Sequence, residues 1–320
     1  MRSSMHWWLM NGPRSCAIAK ADPMAEANGT VSWRMLQSEA ERALAGASEN
    51  PASDARRIIE RASGNEGAQY VLGLDDLATE RGVHYFDLML ERRVHGEPLQ
   101  YVVGSWGFRH LDLLVDARVL IPRPETESVV EFALSELDAL RASAPGRSLL
   151  AVDLGTGSGA IGLSLAFERE RVEVWLTDAS DAALAVARAN LAGIGRAGTR
   201  VTIAAAGEWF AALPGDLRGS IDLIVSNPPY VADGDELPAV VRDWEPASAL
   251  FAGADGLDDL RVIVAEAPEW LSPVGSLVVE LAPAQAREFA ELARHAGFDG
   301  VEIRQDLAGR DRTVVCRRGH

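Results

Sequence analysis

From residue 148 onward, short apolar runs alternate with helical patterns, and few folds accept that alternation. "SLLAVDLG" (148–155), "VEVWLTD" (172–178), "RVTIAAA" (200–206), "IDLIVSN" (221–227) and "GSLVVEL" (275–281) read as strands. "SGAIGLSLAFE" (158–168) and "SDAALAVARANLAG" (180–193), capped by Ser180 or Asp181, read as helices between them. Further helices are expected at about 256–270 and 284–296, and closing strands at "GVEIRQD" and "RTVVCRR". Strands this uninterruptedly apolar are buried on both faces. The pattern therefore predicts an α/β fold: an open, mostly parallel sheet of seven strands with helices on each side.

The preceding chain reads differently. Residues 32–98 predict a small domain of four or five short helices. In "SDARRIIERASG", Ser53 is a cap candidate, Ala55, Ile58, Ile59 and Ala62 share a face, and Gly64 is a stop. "GVHYFDLMLERRVHG" places Val83, Phe86, Leu90 and Val94 on one face and ends at Gly96. Residues 99–125 are rich in β-formers and predict a β-hairpin connector, and residues 126–320 form the α/β domain. Residues 1–31 are expected to be a disordered or mis-assigned leader, with Met24 an alternative start.

The net charge of −16 argues against direct nucleic-acid binding through broad phosphate neutralisation. Cys16 and Cys316 form no disulfide framework, and the six histidines lack metal-ligand spacing, so no metal is expected. The absence of an apolar run long enough to span a bilayer, together with the cysteine usage, predicts a cytoplasmic chain without a membrane partner.

Ligands of open α/β sheets bind outside the carboxyl ends of the strands. The first strand of the domain ends "DLGTGSGAIG", where Gly155, Gly157 and Gly159 let the backbone approach a ligand closely. Thr156 and Ser158 alternate with them, and the next helix points its N-terminus at the same place. Gly155, Gly157 and Ala160 also satisfy a dinucleotide fingerprint, so this turn alone fits either a dinucleotide or S-adenosylmethionine. Asp178, closing the second strand, suits ribose hydroxyls in both cases. Asp153, a carboxylate ahead of the glycines, favours the methyl donor by suiting the ammonium of a methionyl group.

The second feature that favours it is Asn227-Pro228-Pro229-Tyr230, at the carboxyl end of another strand. Two prolines give up two backbone donors and fix two φ angles, so the strand stops rigidly with an amide at its tip. The nitrogen of an amide or a nucleobase amine has its lone pair delocalised. Two neutral acceptors that hold its N–H bonds free that lone pair for a methyl group. Asn227 Oδ1 and the Pro228 carbonyl are the acceptors expected here, with Tyr230 as an apolar wall.

"DLGTGSGAIG" with "SNPPY" resembles the amino-group S-adenosylmethionine methyltransferases. "LQYVVG", "IPRPETE" (121–127), "EPASALFAGADGL" (245–257) and "DLAGRDR" (306–312) resemble the HemK/PrmC family, the release factor glutamine methyltransferases, over roughly residues 32–318. The resemblance implies a class I methyltransferase fold, Rossmann-like, behind a helical substrate-recognition domain. It implies S-adenosylmethionine as methyl donor and N5-methylation of the glutamine in the Gly-Gly-Gln loop of peptide chain release factors; the chain is separately expected to be a monomer. Carried over by position, residues 155–159 line the methionyl portion, Asp178 the ribose, Glu208 the adenine, and Trp209 the cofactor as an aromatic contact. Glu208 stands where the family usually has Asp. Asn227, Pro228, Pro229 and Tyr230 hold the substrate glutamine, with Asn227 also beside the cofactor. Phe210 is expected in the core, and Arg123, Glu125 and Glu127 are expected to pair with each other at the surface as part of a lid or linker. The alternative is a DNA amino-methyltransferase acting on adenine N6 or cytosine N4, since the same motif serves an exocyclic amine.

Overall fold

The computed structural model describes residues 30–319, which fall into two compact units parting at Leu90 and Glu91. The expected leader thus lies outside the described residues except for its last two positions.

The first unit is built from α1 (Trp33–Leu44), α2 (Pro51–Ser63), α3 (Gly67–Gly73) and most of α4 (Glu80–Val94). Leu36, Ala40 and Leu44 of α1 and Ala55, Ile58 and Ile59 of α2 are buried, as their helical spacing requires. The N-cap of α2 is Asn50 rather than Ser53: its side chain accepts from the Ser53 N–H at 3.3 Å. Pro51 then occupies the first helical position, where a missing N–H costs nothing. Gly64 closes the helix as expected, at φ 75° with its N–H on the Glu60 carbonyl. In α4 the buried residues are Gly82, Phe86 and Met89, whereas Val83 and Leu90 are only half-buried. The stripe is rotated because the Trp33 ring packs onto Gly82, where a Cβ would stand 2.6 Å from it.

After the last residues of α4, the second unit continues with one short helix, α5 (Leu99–Val103), where β-forming composition predicts a strand. Pro98 precedes this helix and Gly104, at φ 73°, ends it; Tyr101, Val102 and Val103 are buried within it. The predicted hairpin follows as β1 (Ser105–Phe108) and β2 (Leu111–Leu114), paired antiparallel. Arg109 in its turn donates to Glu168 at 2.6 and 2.7 Å, and its backbone N–H donates to Glu127 at 2.9 Å.

After α6 (Thr126–Ser143) come β3 (Leu149–Leu154), α7 (Ala160–Glu168), β4 (Val172–Thr177), α8 (Asp181–Gly193), β5 (Val201–Ile203) and β6 (Ile221–Ser226). The chain continues with α9 (Ala239–Arg242), α10 (Asp258–Trp270), β7 (Leu271–Glu280), α11 (Ala286–His295), β8 (Gly300–Gln305) and β9 (Asp311–Arg317). The seven-stranded sheet has the order β5-β4-β3-β6-β7-β9-β8, with β9 antiparallel to both neighbours and every other pairing parallel. Successive residues point to opposite faces. Ala151, Leu223, Val225 and Val278 pack in one layer with Val129, Leu134 and Leu163. Val152, Ile224, Leu277 and Val279 pack in the other with Leu260, Ile263 and Phe289. Both parities are therefore apolar, which is why the strands read as uninterrupted runs.

Gly162, on the first turn of α7, lets this helix sit directly on the sheet. A Cβ there would stand 2.2 Å from Leu176 Cδ2 and 3.0 Å from Asp153 Cβ. Gly162→Ala is expected to cost about 1–3 kcal/mol by overpacking, read as a lower urea midpoint with an unchanged far-UV circular dichroism spectrum.

Candidate active site

The strand order reverses between β3 and β6, the place where an open α/β sheet leaves a crevice. Leu154 pairs with Ser226 in register, so Gly155 and Asn227 leave the sheet side by side. The Ser226 hydroxyl donates to the Leu154 carbonyl at 2.7 Å and ties the two exits together.

The turn after β3 takes a conformation that glycine permits. Gly155, Gly157 and Gly159 have φ of 69°, 55° and 87°, and α7 begins at the next residue. The Thr156 N–H donates to the Thr177 carbonyl at 2.8 Å. Asp153 lies buried under this turn, its Oδ2 accepting from Thr156 Oγ1 at 2.6 Å and from the Gly162 N–H at 2.9 Å. Its Oδ1 has no partner, and burial pushes the carboxyl up to about 7 against those two hydrogen bonds. Asp178 braces the same turn from β4: Oδ2 accepts from the Gly157 N–H and Oδ1 from the Ser180 N–H, both at 2.9 Å. Burial raises its pKa, opposed by these N–H donors.

Above the turn lies a cavity of about 390 Å³. Gly155, Thr156, Gly157, Ser158 and Asp178 line one side of it, and Glu208, Trp209, Asn227 and Pro229 line others. Asp153, Gly159, Pro228 and Tyr230 stand outside this lining. Trp209 holds a φ of 42°, and its ring lies where a Cβ on Gly155 would touch it at 3.4 Å. Its indole faces Asp259, a lining residue at the start of α10 whose pKa burial raises and the indole lowers. Phe210 is buried in the core and stacks on Trp270 with 5.6 Å between ring centroids.

The Asn-Pro-Pro-Tyr turn is held from several directions. The Val231 N–H donates to the Leu250 carbonyl and the Ala252 N–H to the Val231 carbonyl, both at 2.9 Å. Gln285 Nε2 donates to the Tyr230 carbonyl at 2.9 Å. Gly256 packs onto that carbonyl so closely that a Cβ would stand 2.3 Å from it. Asn227 Nδ2 donates to Thr126 Oγ1 at 3.4 Å, while Asn227 Oδ1 is buried without a partner. Tyr230 packs against the core instead of lining the cavity, and its hydroxyl donates to Glu280 Oε1 at 3.4 Å. Burial raises the pKa of this phenol, and it pushes the wholly buried Glu280 carboxyl, at the end of β7, up to about 7.

The segment 121–127 departs from the expected mutual pairing. Arg123 donates to Glu245 at 2.5 Å, and the other oxygen of Glu245 accepts from the Ile121 N–H at 3.1 Å. Glu127 accepts from Arg109, and Glu125 lies 4.0 Å from Arg310. The segment is thereby strapped to the chain that follows β6. Thr126, Asp259 and Glu280 belong to the site or its support and escape the sequence reading. An acid closing a strand, as in "GSLVVEL", is the one signal that marks Glu280.

An unpartnered amide oxygen at a cavity wall, beside a glycine turn, can receive an N–H from a bound group. The methyltransferase small domain family matches residues 134–249, and the PrmC N-terminal domain family matches residues 36–104. The release factor glutamine methyltransferase of Cereibacter sphaeroides is 40% identical over 288 residues, covering 88% of this chain and 96% of its own. That of Moorella thermoacetica is 38% identical over 293 residues, covering 90% and 99%. The structure of a protein-(glutamine-N5) methyltransferase from Alicyclobacillus acidocaldarius is 29% identical, covers 62% of this chain and 95% of its own, and has a TM-score of 0.37. With this similarity spanning both units and nearly the whole length of its relatives, the chain belongs to the release factor glutamine methyltransferase family.

Proposed function

We propose that the cavity binds S-adenosylmethionine and that the chain methylates N5 of the glutamine in the Gly-Gly-Gln motif of peptide chain release factors. The observation that carries the reading is Asn227 Oδ1, buried and without a partner beside the glycine turn. The residues present fit the donor. The cavity volume of about 390 Å³ is that of a small-molecule site. Gly155 and Gly157 carry no side chain against a ligand. Asp178 keeps lone pairs for ribose hydroxyls beyond the two N–H donors it already accepts. Glu208 is available to the adenine amine and Trp209 to its face.

The bound donor supplies an electrophilic methyl group on a sulfonium. The protein's task is the acceptor, whose lone pair is delocalised into its carbonyl. Asn227 Oδ1 and the Pro228 carbonyl accept the two N–H bonds of the glutamine amide and aim its nitrogen at the cavity. Once the nitrogen carries the methyl group, one of these two protons is released to solvent. Pro228 and Pro229 fix that aim, because their φ angles cannot drift. Pro229, on the lining, bounds the space in which the planar amide lies. This is catalysis by orientation and fixed dipoles.

Asn227→Ala is expected to lower kcat by about 100-fold or more, while calorimetric affinity for S-adenosylhomocysteine stays within about threefold; near-normal turnover would exclude the mechanism. Asp178→Ala is expected to weaken that affinity by about tenfold or more, roughly 1.4 kcal/mol, and an unchanged affinity would exclude the ribose assignment. With labelled methyl donor, unmodified release factor is expected to take a single methyl at the Gly-Gly-Gln glutamine, located by peptide mass spectrometry. Label in unmethylated DNA alone would point to the nucleobase alternative.

A further inference from the structure

The two ends of the Asn227 amide are nearly the same size, and the proposed chemistry uses only one of them. With Oδ1 toward the cavity, the side chain accepts an N–H from the substrate. With Nδ2 there, it opposes a donor to a donor. Sterics barely separate the two orientations, so the partner on the far side must choose.

That partner is Thr126, 3% exposed, whose Oγ1 accepts from Asn227 Nδ2 at 3.4 Å. A hydroxyl both donates and accepts, so Thr126 alone would receive either end of the amide. Behind it stands Glu280, with no exposure at all. The Thr126 hydroxyl faces this carboxylate and favours its charged form. Glu280 Oε1 accepts from Tyr230 at 3.4 Å, and Oε2 is buried without a hydrogen-bond partner, open to the Thr126 proton. An ionised carboxylate only accepts, and it therefore draws the Thr126 proton to itself. Thr126 Oγ1 is left with lone pairs for Asn227, and Nδ2 turns to meet them.

We infer that Thr126 and Glu280 are positioning residues, a relay from Asn227 Nδ2–H to Thr126 Oγ1–H to Glu280 that fixes the amide with Oδ1 facing the acceptor. The inference rests on the reading of Asn227 given above. It also gives the segment 121–127 a task at the site, through Thr126.

The surroundings tune the relay. Burial opposes the charge on Glu280 most, Thr126 and Arg312 of β9 favour it, Glu125 opposes it, and the Tyr230 hydroxyl favours it, with the outcome about 7. Arg312 donates to the Leu281 carbonyl at 3.4 Å and has Asp306 at 4.0 Å; Glu125 has Arg310 at 4.0 Å. Once protonated, Glu280 can donate to Thr126, whose own proton then swings toward Asn227 and favours the opposite amide orientation. The relay thus holds above about pH 7 and weakens as pH falls through that region.

The test compares Thr126→Val, Thr126→Ser and Glu280→Gln in the full chain. Thr126→Val, nearly equal in volume, is expected to lower kcat about 10- to 100-fold. KM for release factor, affinity for S-adenosylhomocysteine and the urea midpoint should stay close to wild type. Thr126→Ser should recover most of the lost kcat. The wild-type enzyme is expected to lose kcat as pH falls below about 7, and Glu280→Gln should lower kcat and abolish that dependence. Wild-type kcat in Thr126→Val would overturn the inference. So would equal loss in Thr126→Val and Thr126→Ser accompanied by weaker cofactor binding, since that marks a packing role. Asn227→Ala, run in parallel, separates the two readings. If it is inactive while Thr126→Val is fully active, only the relay fails; if it is active, the reading of the site fails with it.

Discussion

The side-by-side exit of β3 and β6 is the constraint on which the site depends. Parallel strands require crossovers, and helices on both faces force the order to reverse somewhere along the sheet. Here the reversal falls between the strand that ends in a glycine turn and the strand that ends in Asn227. The apolar layers on both faces hold the register of Leu154 against Ser226, and that register sets the spacing of the donor and acceptor subsites of the proposed function. A slip of one residue would exchange Ala151, Leu223 and Val225 with residues of the other layer; since both layers are apolar, the close fit of side-chain shapes, not polarity, opposes it.

Rigidity at the two turns has different origins. The glycine turn is shaped by left-handed backbone and braced by two carboxylates, Asp153 from beneath and Asp178 from the neighbouring strand. The Asn-Pro-Pro-Tyr turn is stiff through its prolines and is clamped by Gln285, Gly256 and the strand-like pairing of Val231 with Phe251. Buried polar groups without partners are costly. Asn227 Oδ1 and Glu280 Oε2 are two such groups within one connected network, and the rigidity of their surroundings is what keeps them from relaxing into self-satisfied arrangements.

What the sequence disclosed follows from how local each feature is. The strands were legible because both parities of each are apolar, and the glycine turn because only glycine accepts its backbone. Gly64 marked its helix end for the same reason. Asn50 was hidden as a cap because Ser53 offers the same chemistry three residues on. The rotation of α4 was illegible because the deciding contact comes from Trp33, in another helix. Residues 99–103 look like a strand from composition, but Pro98 and Gly104 bracket a single helical turn. Arg123 found Glu245 across 122 residues, and Thr126 found Asn227 across 101; no local pattern encodes such pairings. Trp209 and Phe210 differ by one position, yet one lines the cavity and the other stacks in the core.

Asp178, Glu208 and Asp259 line one cavity together, while the lining Arg118 is already paired with Asp116. Such a wall attracts a cation more than a neutral molecule of the same shape. In the proposed reaction, methyl transfer from a sulfonium extinguishes a positive charge at this wall. On that reading the acidic wall favours the charged donor over its neutral product, so the reaction itself weakens the attraction.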